Sequence, residues 1–104
     1  MIDSVNVQIL AAFLFGLGLA VVLTRRNLFF ILMGVELLLN AVNLSFVGFS
    51  RTLEADGGSV TGLVAPLFVI AIAAAEACVG LAMVISLVRG RESLDADAYA
   101  ELRE

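Results

Sequence analysis

The chain has 104 residues, of which 62% are hydrophobic and 15% are charged, and its formal net charge is −4. With a mean hydropathy of +1.08, this composition excludes an ordinary soluble domain, because such domains contain only about 45–50% apolar residues. The acidic balance and the lack of lysine argue against nucleic acid as a partner, since nucleic-acid binding depends on basic side chains.

Three apolar runs follow one another along the chain, at about residues 5–23, 28–49 and 63–88. Each is near or above the ~20 residues that a helix needs to cross a bilayer. The runs are separated by "TRRN" and by "SRTLEADGGSVTG". The sequence therefore predicts an all-α integral membrane protein with three transmembrane helices, one membrane domain over residues 1–104 and a polar tail over residues 89–104.

The arginines at the helix ends predict the orientation of the helices. Arg25, Arg26, Arg89 and Arg91 fall on one side of the membrane and Arg51 on the other. Since cationic flanks stay in the cytoplasm, we expect the N-terminus outside and the C-terminus in the cytoplasm. The arginine pair follows the first run and does not precede it, which argues against a cleaved signal peptide, so we expect this helix to be retained.

Two acids lie deep inside the apolar runs. At 1.5 Å per residue, Glu36 lies about 15 Å inward from Arg26, and Glu76 about 20 Å inward from Arg89. An ionised acid at such depth costs roughly 2.5–3.5 kcal/mol. The acids are therefore expected either to be protonated or to face water and polar neighbours. A mere hydrogen bond to a neighbouring helix needs only Gln or Ser, so proton transfer is the favoured interpretation.

The two acids are also expected to influence each other. If the second and third helices pack at an ordinary distance, the carboxyl groups lie within about 10 Å. At an effective dielectric constant near 20, two negative charges at that separation repel by about 1.7 kcal/mol. We therefore expect their titrations to be coupled.

Asn40 and Asn43 share a helix face with Glu36, because the three residues are spaced i, i+4, i+7. These amides are expected either to extend a polar pathway or to hydrogen-bond a neighbouring helix. Arg25 and Arg26 are expected either to anchor the topology of the helices or to act in coupling to a neighbouring subunit.

Small residues predict close packing. On the first helix Ala12, Gly16 and Ala20 recur every four residues, and on the third helix Ala73 and Gly80 accompany Glu76. Such stripes let a second backbone approach closely. The acidic tail after residue 91 is expected either to dock on a neighbouring subunit or to be solvated.

The residues that bind redox groups are missing. The chain has no histidine and one cysteine, so we expect it to bind no haem, iron–sulfur cluster, nucleotide or metal by itself. Cys78 is expected to be a small buried hydrophobic residue. Because three apolar helices cannot enclose a polar path for two carboxyl groups alone, we expect the chain to be part of a larger hetero-oligomeric membrane assembly.

Three segments resemble a known family: "LTRRNLFFILMGVELLLNAVNLSFV", "AIAAAEACVGLAMVISLVR" and the acidic tail ending in "ELRE". Over nearly its full length the chain resembles NuoK, the small membrane subunit of bacterial NADH:quinone oxidoreductase, respiratory complex I. The resemblance implies that Glu36 and Glu76 belong to a hydrated proton pathway and that Arg25 and Arg26 contribute to energy coupling.

The same resemblance implies the surroundings of the chain. They are the bacterial inner membrane, neighbouring membrane subunits that include antiporter-like ones, and a complex that uses NADH, FMN, iron–sulfur clusters and quinone. A related multi-subunit cation/proton antiporter or membrane-bound hydrogenase is the alternative, and a membrane scaffold stays open. Small multidrug exporters have four spans with an acid in the first, and the rotor subunit of ATP synthase has two spans, so neither matches.

Overall fold

The computed structural model describes residues 3–55, 61–91 and 94–103. These contain three α-helices, α1 (Ser4–Thr24), α2 (Leu28–Ala55) and α3 (Thr61–Arg91), followed by a 3-10 helix at Ala96–Arg103, here called the tail helix. All three α-helices are long and apolar enough to cross a membrane. Extended pairing within the described residues is limited to one isolated bridge, between Asn27 and Asp95. The predicted all-α class with three membrane-spanning helices is confirmed.

The helix ends reflect local sequence. Asp3 caps α1, because its carboxylate accepts a hydrogen bond from the backbone N–H of Val5 at 3.4 Å. α2 and α3 continue beyond their apolar runs, to Ala55 and from Thr61 respectively. Polar residues at a water-facing helix end still form the backbone ladder, so the helices are longer than the apolar stretches that identify them.

α2 is the central helix and packs against both α1 and α3. Against α1 it makes a close glycine crossing, where a Cβ atom added to Gly18 would lie 3.0 Å from the carbonyl oxygen of Gly34. Nearer the start of α1, the amide of Gln8 donates to the Ser45 carbonyl at 2.9 Å and accepts from the Ser45 hydroxyl at 2.7 Å. This interface therefore combines close backbone packing with a satisfied polar pair.

Two contacts fix the register of α2 against α3. A Cβ atom at Gly80 would lie 2.7 Å from Cδ1 of Leu32, and one at Gly62 would lie 2.8 Å from Cβ of Ser50. Leu32 and Ser50 are 18 residues apart on α2, as are Gly62 and Gly80 on α3. Since 18 residues make five full turns, each pair projects from one line along its helix. The two helices are antiparallel and keep one register over this length.

The face of α1 that packs within the chain differs from the expected one. Ala11 is 4% exposed and Gly18 is buried. The small residues predicted to pack, Ala12, Gly16 and Ala20, are exposed, and within the described part of the chain no atom lies within 4 Å of an added Cβ at Gly16. Within this chain that prediction is wrong, because α2 meets α1 at the Gly18 crossing, about a quarter turn or more away. Cys78, expected to be buried, is likewise exposed.

The C-terminal tail docks on the loop between α1 and α2. The N–H of Leu28 donates to the Leu94 carbonyl at 2.7 Å, and the N–H of Ala96 donates to the Arg26 carbonyl at 2.8 Å. Tyr99, 8% exposed, donates its hydroxyl to the carbonyl of Leu87 near the end of α3 at 2.9 Å. The described part of the tail is therefore held by its own chain, which differs from both expectations, a neighbouring subunit or solvent.

Candidate functional site

The two deep acids lie at the same level of the bundle. Leu32 of α2 contacts Gly80 of α3. Glu36 follows Leu32 by four residues, and Glu76 precedes Gly80 by four residues. Counting 14 residues inward from the Ser50–Gly62 contact gives the same pair. Each acid projects about 40° from the line along which its helix touches the other. Two residues 40 apart in sequence thus flank one point of the α2–α3 interface.

Glu36 lies on the side of α2 that faces α3 and is partly buried. Its Oε1 is buried without a hydrogen-bond partner among the described residues, and the same is true of Oδ1 of Asn43 and Oγ of Ser50. The three residues are seven apart, so they follow one side of α2 over four turns. Buried oxygens normally have partners, which makes this an unusual row of acceptors.

Asn40 is separated from this row. It is exposed, and at 100° per residue it projects about 40° further than Glu36 from the line of contact with α3. The predicted face holding both amides is therefore divided, with Asn43 beside the interface and Asn40 on the outer surface of the bundle.

Glu76 is exposed on the outer surface of α3. It lies in a shallow apolar groove whose other lining residues are Ile72, Ala75, Val79, Gly80 and Met83. At mid-bilayer depth an acid facing hydrocarbon is unfavourable. The groove therefore requires either a neighbouring polypeptide or a neutral carboxyl group.

The adjacent loop arginines have different contacts. Arg26 forms an exposed ion pair with Asp97 of the tail at 3.2 Å. The guanidinium of Arg25 lies 5.6 Å from the ring centroid of Phe30 on α2, a cation–π arrangement. Arg25 has no ion pair within residues 3–55, 61–91 and 94–103. Its charge is therefore presented at the surface, while that of Arg26 is matched by its own chain.

Sequence reasoning missed two features of this region. Ser50 could have been identified from the sequence, because it continues the seven-residue spacing of Glu36 and Asn43. The contact between Leu32 and Gly80 could not be predicted from a single sequence, because it depends on the register of two helices. Among the described residues, no group of three or more His, Cys, Asp or Glu side chains is placed to hold a metal ion.

Comparison with known proteins places this geometry in a family. Residues 6–104 match the family model described as NADH-ubiquinone/plastoquinone oxidoreductase chain 4L. The chain is 48% identical over 103 residues to NADH-quinone oxidoreductase subunit K of Thermomicrobium roseum, covering 99% of this chain and 97% of the relative.

Two further relatives give the same result. Over 95 residues the chain is 50% identical to NAD(P)H-quinone oxidoreductase subunit 4L of a Synechocystis species, covering 91% of this chain and 90% of the relative. Over 93 residues it is 48% identical to NADH-quinone oxidoreductase subunit 11 of Thermus thermophilus, covering 89% and 93% respectively. The match to the family model thus extends over all three helices.

Proposed function

Because the chain belongs to the NADH-ubiquinone/plastoquinone oxidoreductase chain 4L family, we propose that its Glu36 and Glu76 exchange protons in the membrane arm of complex I. The protein is a subunit of NADH-quinone oxidoreductase, a translocase, and is integral to the bacterial inner membrane as part of a hetero-oligomer. The family membership and the three membrane-spanning helices are the basis of this proposal. The roles of individual residues are the proposal.

One observation carries the proposal: two carboxylic acids from different helices lie at one level inside the membrane-spanning part of the bundle. Each would cost roughly 2.5–3.5 kcal/mol if ionised there without a partner. A neutral side chain could make a structural hydrogen bond without that cost. Paired acids at one level favour a site at which protons are taken up and released.

In the mechanism, the carboxyl oxygens of Glu36 and Glu76 hold and release protons. Quinone reduction elsewhere in the complex changes local charge and hydration, and thereby the proton affinity of one acid. Because charges about 10 Å apart interact by more than thermal energy at intermediate dielectric, the second acid responds. Asn43 extends this polar row along α2. The electrostatic signal then passes laterally, in the membrane plane, from one subunit to the next.

The groove around Glu76 is where we place the next subunit. Its apolar walls suit a transmembrane helix, and its carboxyl group suits a polar or basic side chain on that helix. An antiporter-like membrane subunit of the same complex is the proposed occupant. Glu36 would then communicate with that subunit through Glu76.

The loop–tail end is assigned to the cytoplasm. Arg25, Arg26 and Arg89 lie at this end of the bundle, whereas Arg51 lies at the other. Cationic flanks are retained in the cytoplasm, so the N-terminus lies outside. Arg25, with its exposed charge, is the proposed contact to a neighbouring subunit in energy coupling.

The redox groups are assigned to other subunits. This chain has no histidine and a single cysteine, which is exposed on α3 within the membrane span. NADH, FMN, iron–sulfur clusters and quinone are therefore proposed to bind elsewhere in the complex. The chain contributes proton-exchanging groups only.

Glu36→Gln in the assembled complex tests the proposal. The amide keeps the shape but cannot release a proton, so we expect proton pumping and coupled quinone reductase activity to fall by about 100-fold, the lower end of the typical range for losing a general acid–base group. Assembly, measured by the amount of complex in membranes, should be normal. Asp3→Asn is the matched control, since it makes the same change at an exposed cap that Asn also supports. Normal pumping by Glu36→Gln would refute the role.

Purification in mild detergent tests the assignment to complex I. Copurification with NADH-binding and iron–sulfur subunits is expected. Copurification with cation/proton antiporter or hydrogenase subunits alone would contradict the assignment and support the related assemblies.

A further inference from the structure

Leu32 and Gly80 lie at the point where α2 and α3 approach each other beside the two acids. Leu32 is one turn from Glu36, and Gly80 is one turn from Glu76. The space over Gly80 is filled by the leucine: a Cβ atom there would lie 2.7 Å from Cδ1, 3.7 Å from Cδ2 and 3.8 Å from Cγ of Leu32.

We propose that Leu32, seated on Gly80, is the spacer that sets the distance between the two proton-exchanging acids. The inference rests on the proposed function of Glu36 and Glu76 and adds two positioning residues to it. Neither residue has a group that exchanges protons. They act on the acids through helix separation alone.

The physical reason is that the rate of a proton-exchange step depends steeply on how precisely its groups are positioned. Carbon atoms at ordinary contact are about 3.5–4.0 Å apart, so a methyl group at position 80 overlaps Cδ1 by about 1 Å. Either Leu32 leaves its seat or the helices separate at the level of the acids. A misplacement near 1 Å can lower the rate of such a step by up to about 100-fold. Both responses therefore disturb the arrangement that the acids need.

The chain provides an internal comparison in the second α2–α3 contact. Gly62 meets Ser50 as closely as Gly80 meets Leu32, since an added Cβ would lie 2.8 Å from Cβ of Ser50 and 3.2 Å from its Cα. This contact lies 14 residues, about 21 Å, from the acids. A general requirement for tight helix packing predicts equal effects at the two glycines. A spacer for the acids predicts an effect on pumping at Gly80 only.

The experiment compares Gly80→Ala, Gly62→Ala and Gly90→Ala in the assembled complex. Gly90 is the neutral control, because among the described residues no atom lies within 4 Å of an added Cβ. Protons pumped per NADH oxidised are measured in sealed membrane vesicles and normalised to assembled complex. Gly80→Ala should lower this ratio at least about threefold, well within the range for a 1 Å displacement. Gly62→Ala and Gly90→Ala should leave it unchanged.

Rescue separates positioning from general damage. Leu32→Val removes the terminal carbon that the new methyl group meets, so Gly80→Ala combined with Leu32→Val conserves the interface volume. This double variant should recover most of the pumping ratio, and also the assembly if Gly80→Ala lowers assembly. The inference is overturned by a normal ratio in Gly80→Ala, an equal loss in Gly62→Ala, or a failure of rescue. If Glu36→Gln also pumps normally, the proposed function fails; if it does not, only the spacer fails.

Discussion

Polar groups are hydrogen-bonded within the chain on one side of α2, and on the other side buried ones are without partners in the part of the chain that the structure describes. Toward α1, the Gln8 amide donates to the backbone carbonyl of Ser45 and accepts from the Ser45 hydroxyl, so both of its ends are hydrogen-bonded. Toward α3, buried oxygens of Glu36, Asn43 and Ser50 have no partner within the described residues. Both sides also contain close glycine contacts, so tight packing alone does not distinguish them.

We propose that this difference distinguishes a structural interface from a functional one. A polar pair that is satisfied inside the chain stabilises helix association and needs nothing further. Unsatisfied buried oxygens lower stability, typically by about 1–3 kcal/mol each. A functional role is one recognised reason for keeping such groups. We therefore propose that the same helix holds the bundle together on one side and presents the proton-exchanging Glu36 on the other.

The largest expected effect concerns the two acids as a unit. Glu76→Gln should lower pumping strongly, and combining it with Glu36→Gln should add little to either single change, because residues of one transfer unit are non-additive. Pumping rates of the two single variants and the double variant measure this. Losses that multiply in the double variant would mean that the acids work independently.

Next in size is a change that should affect only the α1 side. Gly34→Ala places a Cβ 2.8 Å from Cγ2 of Val22 and 3.2 Å from the carbonyl oxygen of Gly18. Overpacking of this kind costs about 1–3 kcal/mol. The amount of assembled complex and its thermal stability should fall, while pumping per assembled complex stays normal. Gly16→Ala, where the added methyl group meets nothing, is the control. A specific pumping defect in Gly34→Ala would remove the distinction between the two sides.

A smaller pair of effects should have opposite signs on the two sides of α2. Ser45→Ala removes the hydrogen bond from the hydroxyl to Gln8 but keeps the one to the backbone carbonyl, and should lower stability by about 0.6 kcal/mol, the average for a hydrogen bond in a membrane, without changing pumping. Asn43→Leu removes an unsatisfied oxygen and should leave stability equal or higher while lowering pumping. Asn40→Leu, on the exposed surface, should change neither. Thermal unfolding and pumping of the purified complex provide both readouts.

The smallest effects are expected at the loop–tail end. Tyr99→Phe removes the hydrogen bond to Leu87 and should loosen the tail, at a cost of about 0.5–1.5 kcal/mol. Asp97→Asn breaks the exposed pair with Arg26, which contributes at most about 1 kcal/mol. Proteolysis of the tail in membranes should be faster in Tyr99→Phe than in Asp97→Asn. Equal protection in both variants and the wild type would mean that neighbouring subunits, not these contacts, hold the tail.

The sequence predicted the spans and the two acids because both depend on contrast within a short window. Charged residues stand out in an apolar run, and run length fixes the number of spans. The depth of each acid followed by counting from the arginines. None of these inferences requires knowledge of how the helices contact one another.

What the sequence did not predict depends on contacts between distant residues. A helical wheel places Glu36, Asn40 and Asn43 on one face, but the position of α3 around that wheel decides that only Asn40 is exposed. The stripe of Ala12, Gly16 and Ala20 suggested a packing face, yet α2 packs elsewhere on α1. Docking of Ala96 on Arg26 joins residues about 70 apart, which no local pattern records.

The account depends most directly on a change of protonation at Glu36 during turnover. Infrared difference spectra of the assembled complex, before and after quinone reduction, report carboxyl groups that gain or lose a proton. We expect a carboxyl band in the wild-type spectrum that is absent from Glu36→Gln and retained in the Asp3→Asn control. An unchanged carboxyl region in Glu36→Gln would contradict the claim that this acid exchanges protons.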